Sequence, residues 1–413
     1  MFHQGICVIG LGYIGLPTCA AFAARGIRVK GVDVDQSVVD SINAGRVHIV
    51  EPDLDGMVAE AVSDGLLTAS VDVPEADAYL IAVPTPFKGD HEPDISYVHA
   101  AARAIAPALR EGSVVILEST CPPGTTNAIR DILMMERPEL SFPRDADSTD
   151  HNVYLAHCPE RVLPGRVMIE LVENDRIIGG VTPVCAEKAS EIYAVFCKGE
   201  LVITGATEAE MAKLSENSFR DVNIAFANEL ANVCERLKLD PWEVIRLANH
   251  HPRVNILKPG PGVGGHCIAV DPWFIVSASP EETSLIRTAR ETNDARPDRV
   301  VAKVRNALAD RTAGTVACLG LAFKANIDDL RESPAVEVTS KIATAFPRAK
   351  VLAVEPHVRE LPKQLATVPN VTLADLGAIA VADVVVLLVD HDEFKQIPPP
   401  SGVPVIDTRG VWR

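Results

Sequence analysis

The chain has 413 residues, 47% of them hydrophobic and 23% charged, which suits a globular protein of two or three domains, each with its own core. A formal net charge of −17 argues against a nucleic-acid or anionic-membrane surface, so a phosphate-bearing ligand must be held by a few local basic groups and backbone amides. No run approaches the ~18 apolar residues of a membrane span, no cleavable leader follows Met1, and the nine cysteines form no C-x-x-C pair, so we expect a cytoplasmic protein with reduced thiols and no metal.

In chain order, Ile6 to Ile9 is a short apolar strand running directly into Gly10-Leu-Gly12-Tyr-Ile-Gly15, and Leu16 to Arg25 reads as an alanine-rich helix. In such a unit Gly10 permits the tight turn, Gly12 lets the backbone meet a pyrophosphate, and Gly15 lets helix and strand pack, with the phosphates at the helix N-terminus. The strand Arg28 to Val32 then ends in Asp33, whose carboxylate can accept from both ribose hydroxyls and repel a 2′-phosphate. This context predicts dinucleotide binding, with NAD preferred over NADP. Ala76 to Val83 and Ser113 to Leu117 are continuously apolar, as buried parallel strands are, and run into the loops Pro84-Thr-Pro86 and Glu118-Ser-Thr-Cys-Pro-Pro-Gly-Thr-Thr126. Turn chemistry alone accounts for either loop, but downstream of the fingerprint both are candidates for lining the nicotinamide end. Pro138 to His151 reads as an exposed connection, and the apolar segment from Val153 ends at Glu160-Arg161.

Thr207-Glu-Ala-Glu210 has the form of a capping box and opens a helix expected to reach about Leu237, roughly 45 Å long at 1.5 Å per residue. Such a helix could serve as interdomain spine and dimer surface. Met211, Leu214, Val222, Ile224, Ala225, Phe226, Leu230, Val233 and Leu237 would supply its buried stripes. Lys213, Asn217 and Arg220, at i, i+4 and i+7, share a polar face that is either solvated or catalytic. Asn249-His-His-Pro-Arg-Val-Asn255 leads to a loop in which Gly260, Gly262, Gly264 and Gly265 leave the backbone bare ahead of Cys267. A lone cysteine is ordinarily a small buried hydrophobe. Here a hydride-acceptor site upstream, and Asp271 at a spacing one turn can close, make Cys267 the candidate nucleophile.

Glu282 to Ala309 reads as helical, and Thr315 to Lys324 as a strand entering a loop that carries Asp328, Asp329 and Arg331. A helix Ala335 to Phe346 and a strand Lys350 to Val354 ending in Glu355 follow. Ala382 to Val389 echoes Ala76 to Val83, and Val403 to Thr408 takes the place of the later strand. The fold class is therefore α/β: two doubly wound, Rossmann-like parallel-sheet domains joined by a helical central region with one long helix. We place an NAD-binding domain at 1–200, a central domain with dimer interface and cysteine loop at 201–305, and a second Rossmann-like domain at 306–413. The last lacks G-x-G-x-x-G, so its loop would bind a different nucleotide, with Lys324 on a phosphate.

Taken together, the fingerprint, the Val83-Pro-Thr-Pro86 loop, Ser119-Thr120 with Pro-Pro-Gly-Thr, Pro159-Glu160, Lys213-x-x-x-Asn217, Gly264-Gly-x-Cys267-x-x-x-Asp271 and Phe323-Lys324 with Arg331 resemble the nucleotide-sugar 6-dehydrogenases, the family of UDP-glucose and GDP-mannose dehydrogenases, over nearly the whole chain. Glu160 to Gly165, His250-His-Pro-Arg253 and the residues around His266 look most like the branch acting on UDP-N-acetyl-D-mannosamine. Arg161 and His266 depart from the UDP-glucose pattern. The resemblance implies a cytoplasmic, homodimeric oxidoreductase of surface-polysaccharide synthesis that takes four electrons from the C6 alcohol of a UDP-sugar to NAD, through a thiohemiacetal and a thioester on Cys267. UDP-N-acetylglucosamine and UDP-glucose are the alternative substrates.

By the same resemblance, Lys213 and Asn217 serve the first proton transfer and the oxyanion, Asp271 and Thr120 position water, and Glu160 assists hydrolysis. Gly10, Gly12, Tyr13, Ile14, Gly15, Asp33, Pro84, Thr85, Thr120 and Arg331 would hold the cofactor. Arg161, Val162, Lys213, Asn217, Arg220, His251, Arg253, Gly264, Phe323 and Lys324 would hold the substrate, with Arg253 reaching in from a second subunit. Two rival readings are a two-electron hydroxyacid dehydrogenase, which would release one NADH and need no cysteine, and a non-catalytic nucleotide-sensing protein, which would bind without turnover.

Overall fold

The computed structural model describes residues 3–89, 91–163, 165–265, 267–309 and 313–413, so Pro164 and His266, both used above, lie outside the described residues. The chain forms two compact units: residues up to Glu216 with Trp273–Pro280, and Asn217–Pro272 with Glu281–Arg413.

The first unit is built on the strands β1 (Ile6–Ile9), β2 (Val29–Val32), β3 (Leu67–Ser70), β4 (Ala78–Ile81), β7 (Val114–Leu117), β8 (Tyr154–His157), β9 (Arg176–Gly180) and β10 (Leu201–Gly205), with a small separate hairpin of β5 (Phe87–Lys88) and β6 (Glu92–Pro93). The sheet order is β10-β9-β8-β7-β4-β1-β2-β3, so the chain winds outward from β1 in both directions and the order reverses between β1 and β4. Ligands of such sheets sit outside the carboxyl ends of the strands at that reversal. The alternation of side chains across each strand gives the sheet two cores. Ile6, Val8, Ala78, Leu80, Val114 and Ile116 face one, and Cys7, Ile9, Tyr79, Ile81, Val115 and Leu117 face the other. The strands are parallel except where β8 meets β9, which run antiparallel, so the expected all-parallel sheet is interrupted once.

The second unit repeats the winding with β11 (Thr315–Leu319), β12 (Lys350–Val354), β13 (Val371–Ala374), β14 (Val384–Leu387) and β15 (Val405–Asp407), in the order β13-β12-β11-β14-β15 and parallel throughout. The carboxylate that closes its second strand is Glu355, the counterpart of Asp33. Glu355 accepts from the N–H groups of Leu321, Ala322 and His357 at 2.7, 3.0 and 3.1 Å, and His391 Nε2 stands 3.1 Å away.

The long helix runs over Ala206–Leu237. Two expectations for it need correction. It begins one residue early, and Glu210 does not cap it: the Glu210 carboxylate instead accepts from the backbone N–H groups of Gly124 and Thr126 and from the Thr126 hydroxyl, at 2.5–2.8 Å, capping the helix Thr125–Glu136. Nor are its apolar residues all buried. Leu214 and Ala225 are, but Met211, Phe226, Val233 and Leu237 are exposed, with Phe219 beside them. The apolar positions lie on more than one face of the helix, and the single chain covers only one of them. Among the described residues, no helix is long and apolar enough to cross a membrane.

Candidate active site

In the first unit, the turn after β1 shows which fingerprint glycines the fold itself requires. A Cβ on Gly15 would lie 1.8 Å from the carbonyl oxygen of Gly10, and one on Gly10 would lie 2.5 Å from that of Ala82. A Cβ on Gly12 would meet nothing within 4 Å. Packing explains the outer two glycines, whereas the open space at Gly12 fits a pyrophosphate approaching bare backbone. Tyr13 and Ile14 follow, partly buried, and Gly15 starts the helix Gly15–Ala23. Asp33, at the end of β2, accepts from Leu11 N–H and Asp35 N–H at 3.0 Å each, so its carboxylate is held at the mouth of the turn.

The loops after β4 and β7 are stitched together. Thr85 donates to the carbonyl of Thr120 at 2.8 Å, and Ser119 to that of Val83 at 2.7 Å. Pro84 is exposed beside them. Past β8, Glu160 accepts from the Arg161 N–H at 2.6 Å, and its side chain is 9% exposed. Arg161 is engaged by a carboxylate of the long helix, with its Nη2 2.7 Å from Glu216 Oε1 and its Nε donating to Oε2 at 3.1 Å. Val162 packs on the core. Lys213 is buried, an expensive place for an ammonium group unless it has a task.

In the second unit, Asn217 stands one helical turn past Lys213 and donates to Asp271 Oδ2 at 2.5 Å. The N–H of Asp271 donates to the carbonyl of Cys267 at 2.8 Å, the i, i+4 closure that the spacing suggested, and Asp271 opens the helix Asp271–Ala278. Cys267 is exposed, whereas seven of the nine cysteines are buried. The loop before it is pinned from below: a Cβ on Gly264 would lie 2.6 Å from the carbonyl oxygen of Glu332 and 2.5 Å from Pro334 Cδ. Phe323 lies 3.8 Å from the Cβ position of Gly265. Arg220, His251, Arg253, Lys324 and Arg331 are exposed, and Arg331 forms an ion pair with Asp329 at 2.5 Å.

Sequence reasoning missed the polar frame under this loop. Arg290, fully buried, pairs with Asp221 and donates to the carbonyl of Ile268; Asn293 donates to Asp221 and Asn228 to Asn293. Asn228 Oδ1 receives the N–H of Gly260 at 2.9 Å, and Arg296 donates to the Gly260 carbonyl at 3.0 Å. Burial pushes the Asp221 carboxyl up to about 6 against the pull of Arg290. The available signal was Arg290, Asn293 and Arg296 recurring at helical spacing.

A fingerprint turn at a sheet reversal and an acidic residue closing the second strand are the marks of an NAD-dependent dehydrogenase. Comparison with known proteins gives the same class. Residues 4–197, 207–295 and 317–413 match the NAD binding, central and UDP binding domains of the UDP-glucose/GDP-mannose dehydrogenase family. The chain is 58% identical to the UDP-N-acetyl-D-mannosamine dehydrogenase of Salmonella typhi over 100% of both chains. It is 55% identical to the NDP-N-acetyl-D-galactosaminuronic acid dehydrogenase of Ralstonia nicotianae, over 98% of this chain and 96% of the other. Among solved structures, the UDP-D-ManNAc dehydrogenase of Pyrococcus horikoshii superposes with a TM-score of 0.85 at 38% identity, covering 99% of this chain and 96% of that one. The chain belongs to the UDP-glucose/GDP-mannose dehydrogenase family and is an NAD-dependent nucleotide-sugar dehydrogenase.

Proposed function

We propose that the protein oxidises UDP-N-acetyl-D-mannosamine at C6 to UDP-N-acetyl-D-mannosaminuronate, for surface-polysaccharide synthesis. The observation that carries this is the 58% identity, end to end, to an enzyme named for that substrate. The relative named for a galactosaminuronic acid, at 55%, makes a different acetamido sugar the second reading.

Bound NAD supplies the two-electron acceptor, and the chain's residues supply the rest. Lys213 takes the C6 hydroxyl proton as the first hydride leaves, and Asn217 steadies the oxygen. The Cys267 thiolate adds to the aldehyde, and loss of the second hydride converts the thiohemiacetal to a thioester. Thr120 and Asp271 orient water, and Glu160 draws its proton. Arg161, Val162, Arg220, His251, Arg253, Gly264, Phe323 and Lys324 hold the sugar nucleotide, and Arg331 contacts the cofactor. The segments 1–200, 201–305 and 306–413 act as cofactor, central and nucleotide-sugar domains. We place the protein in the cytoplasm as a homodimer; the dimer is supported by the exposed row Phe219, Phe226, Val233 and Leu237 on the long helix, which a second copy would cover while presenting its Arg253.

The test is a panel of UDP- and GDP-sugars followed by NADH absorbance. UDP-N-acetylmannosamine should give the highest kcat/KM, with two NADH per acid formed. Faster turnover of UDP-glucose would overturn the substrate assignment, and one NADH per product would overturn the chemistry.

A further inference from the structure

Glu160 has a neighbour that no role above employs. Arg176, the first residue of β9, is 5% exposed. Its Nη2 lies 3.6 Å from Glu160 Oε2, while Nη1 donates to Cys158 Sγ at 3.7 Å and Nη2 to the carbonyl of Leu171 at 3.4 Å. The plane of the guanidinium is clasped by rings, with its carbon 4.8 Å from the centre of Tyr193 and 5.4 Å from that of Phe196. Tyr193 in turn donates to Glu118 Oε1 at 2.6 Å, and Glu118 is buried.

Two carboxyl groups therefore share one buried region with one cation. Arg176 faces both, and its charge offsets part of the burial and of the repulsion from Glu160 that act on Glu118. Burial already holds Glu118 up at about 7 despite Arg176. For Arg176, burial works against the charge, and the combined pull of Glu160, Cys158, Tyr193 and Glu118 outweighs it, so the guanidinium stays charged. A lysine would carry the charge but not the broad, weakly hydrated guanidinium that lies against Tyr193 and Phe196.

We propose that Arg176 is a positioning residue for the hydrolytic half of the reaction: its guanidinium faces the Glu160 carboxylate and holds it in place, so that Glu160 can accept a proton from the attacking water. In that step the water oxygen bonds to the thioester carbonyl carbon, its proton passes to Glu160, the C–S bond breaks, and the departing Cys267 thiolate can recover the proton, leaving the acid. The charged and titratable groups around the pair are Glu118, Cys158, Tyr193 and Arg161. The inference rests on the assignment of Glu160 to hydrolysis.

Rapid mixing with the UDP-sugar and NAD, with mass analysis of the quenched protein, separates the steps. In Arg176→Met the burst of two NADH per site should persist, the acyl-enzyme should accumulate, and hydrolysis should fall roughly 100-fold. Arg176→Lys should recover most of the rate. Arg176→Met/Glu160→Gln should hydrolyse no more slowly than Glu160→Gln alone. Equal slowing of burst and hydrolysis would make Arg176 merely structural, and unchanged hydrolysis would overturn the proposal outright. If Arg176→Met does not fold, Arg176→Gln decides: a slowed hydrolysis with intact burst supports the role, and a rate equal to wild type overturns it. Wild-type hydrolysis in Glu160→Gln would instead show that the assignment of Glu160 itself is wrong.

Discussion

Asn217 and Asp271 are joined by a 2.5 Å hydrogen bond, and through the Asp271 N–H that bond continues to the carbonyl of Cys267. The amide of Asn217 can present its oxygen or its N–H to a ligand only as this bond dictates. Asp271→Asn keeps the volume but removes the charge, giving up about 1.5–3 kcal/mol of a charge-assisted bond. A fall in kcat of about 10–100-fold, with an unaltered circular dichroism spectrum, is expected. Wild-type kcat in this variant would break the link.

Asp33 is expected to govern cofactor choice. Asp33→Asn still offers one acceptor to the Leu11 N–H, so the turn survives, but it no longer repels a 2′-phosphate. Discrimination worth at least ~2 kcal/mol should be largely lost, about 30-fold in the ratio of kcat/KM for NAD over NADP. An unchanged ratio would assign the preference elsewhere.

In Cys267→Ala, Lys213 and Asn217 are untouched, and an exposed side chain leaves little packing behind. Binding of UDP-sugar should remain, and acid formation should fall by several powers of ten. Reduction of a supplied 6-aldehyde by NADH, the reverse of the first step, should stay measurable. Acid formation at near-normal rates, or loss of binding together with activity, would make Cys267 structural.

His157 closes β8 fully buried, and burial brings its imidazole down to about 3. The folded state therefore binds fewer protons than the unfolded chain, whose histidine titrates near 6.5. This stability is whole above pH 6.5 and is lost as pH falls toward 3, at about 1.4 kcal/mol per unit of depression. Urea unfolding at pH 7.5 and 5 should show wild type losing more stability than His157→Gln over that interval. Parallel losses would refute the assignment.

Local features were legible where their cause was local. The fingerprint glycines, the continuous apolar strands β1, β4 and β7, and the turn from Cys267 to Asp271 all depend on neighbours within a few residues. Features decided by distant partners were not. Glu210 sits three residues after Thr207, yet its carboxylate finds the N–H groups of Gly124 and Thr126, far away along the chain. Phe226 and Val233 carry a buried-looking pattern, but a sequence does not say which face a neighbour will cover. Arg176 reaches Glu160 because β8 and β9 run antiparallel, and a lone charge at the head of an apolar strand was the only trace.

The second sheet gives Glu355 the position of Asp33 but fills its oxygens with the amides of Leu321, Ala322 and His357 and the ring of His391. Asp33 meets two amides where Glu355 meets three and a histidine ring, which leaves Glu355 less room for a ribose. The proposed oxidation, which consumes two NAD, would then draw both through the berth after β1, the spent carrier departing and a fresh one docking while the half-oxidised sugar is still aboard. The proposed bond to Cys267 would be a mooring line as well as a chemical step, and the pace of the changeover would set a ceiling on the whole cycle.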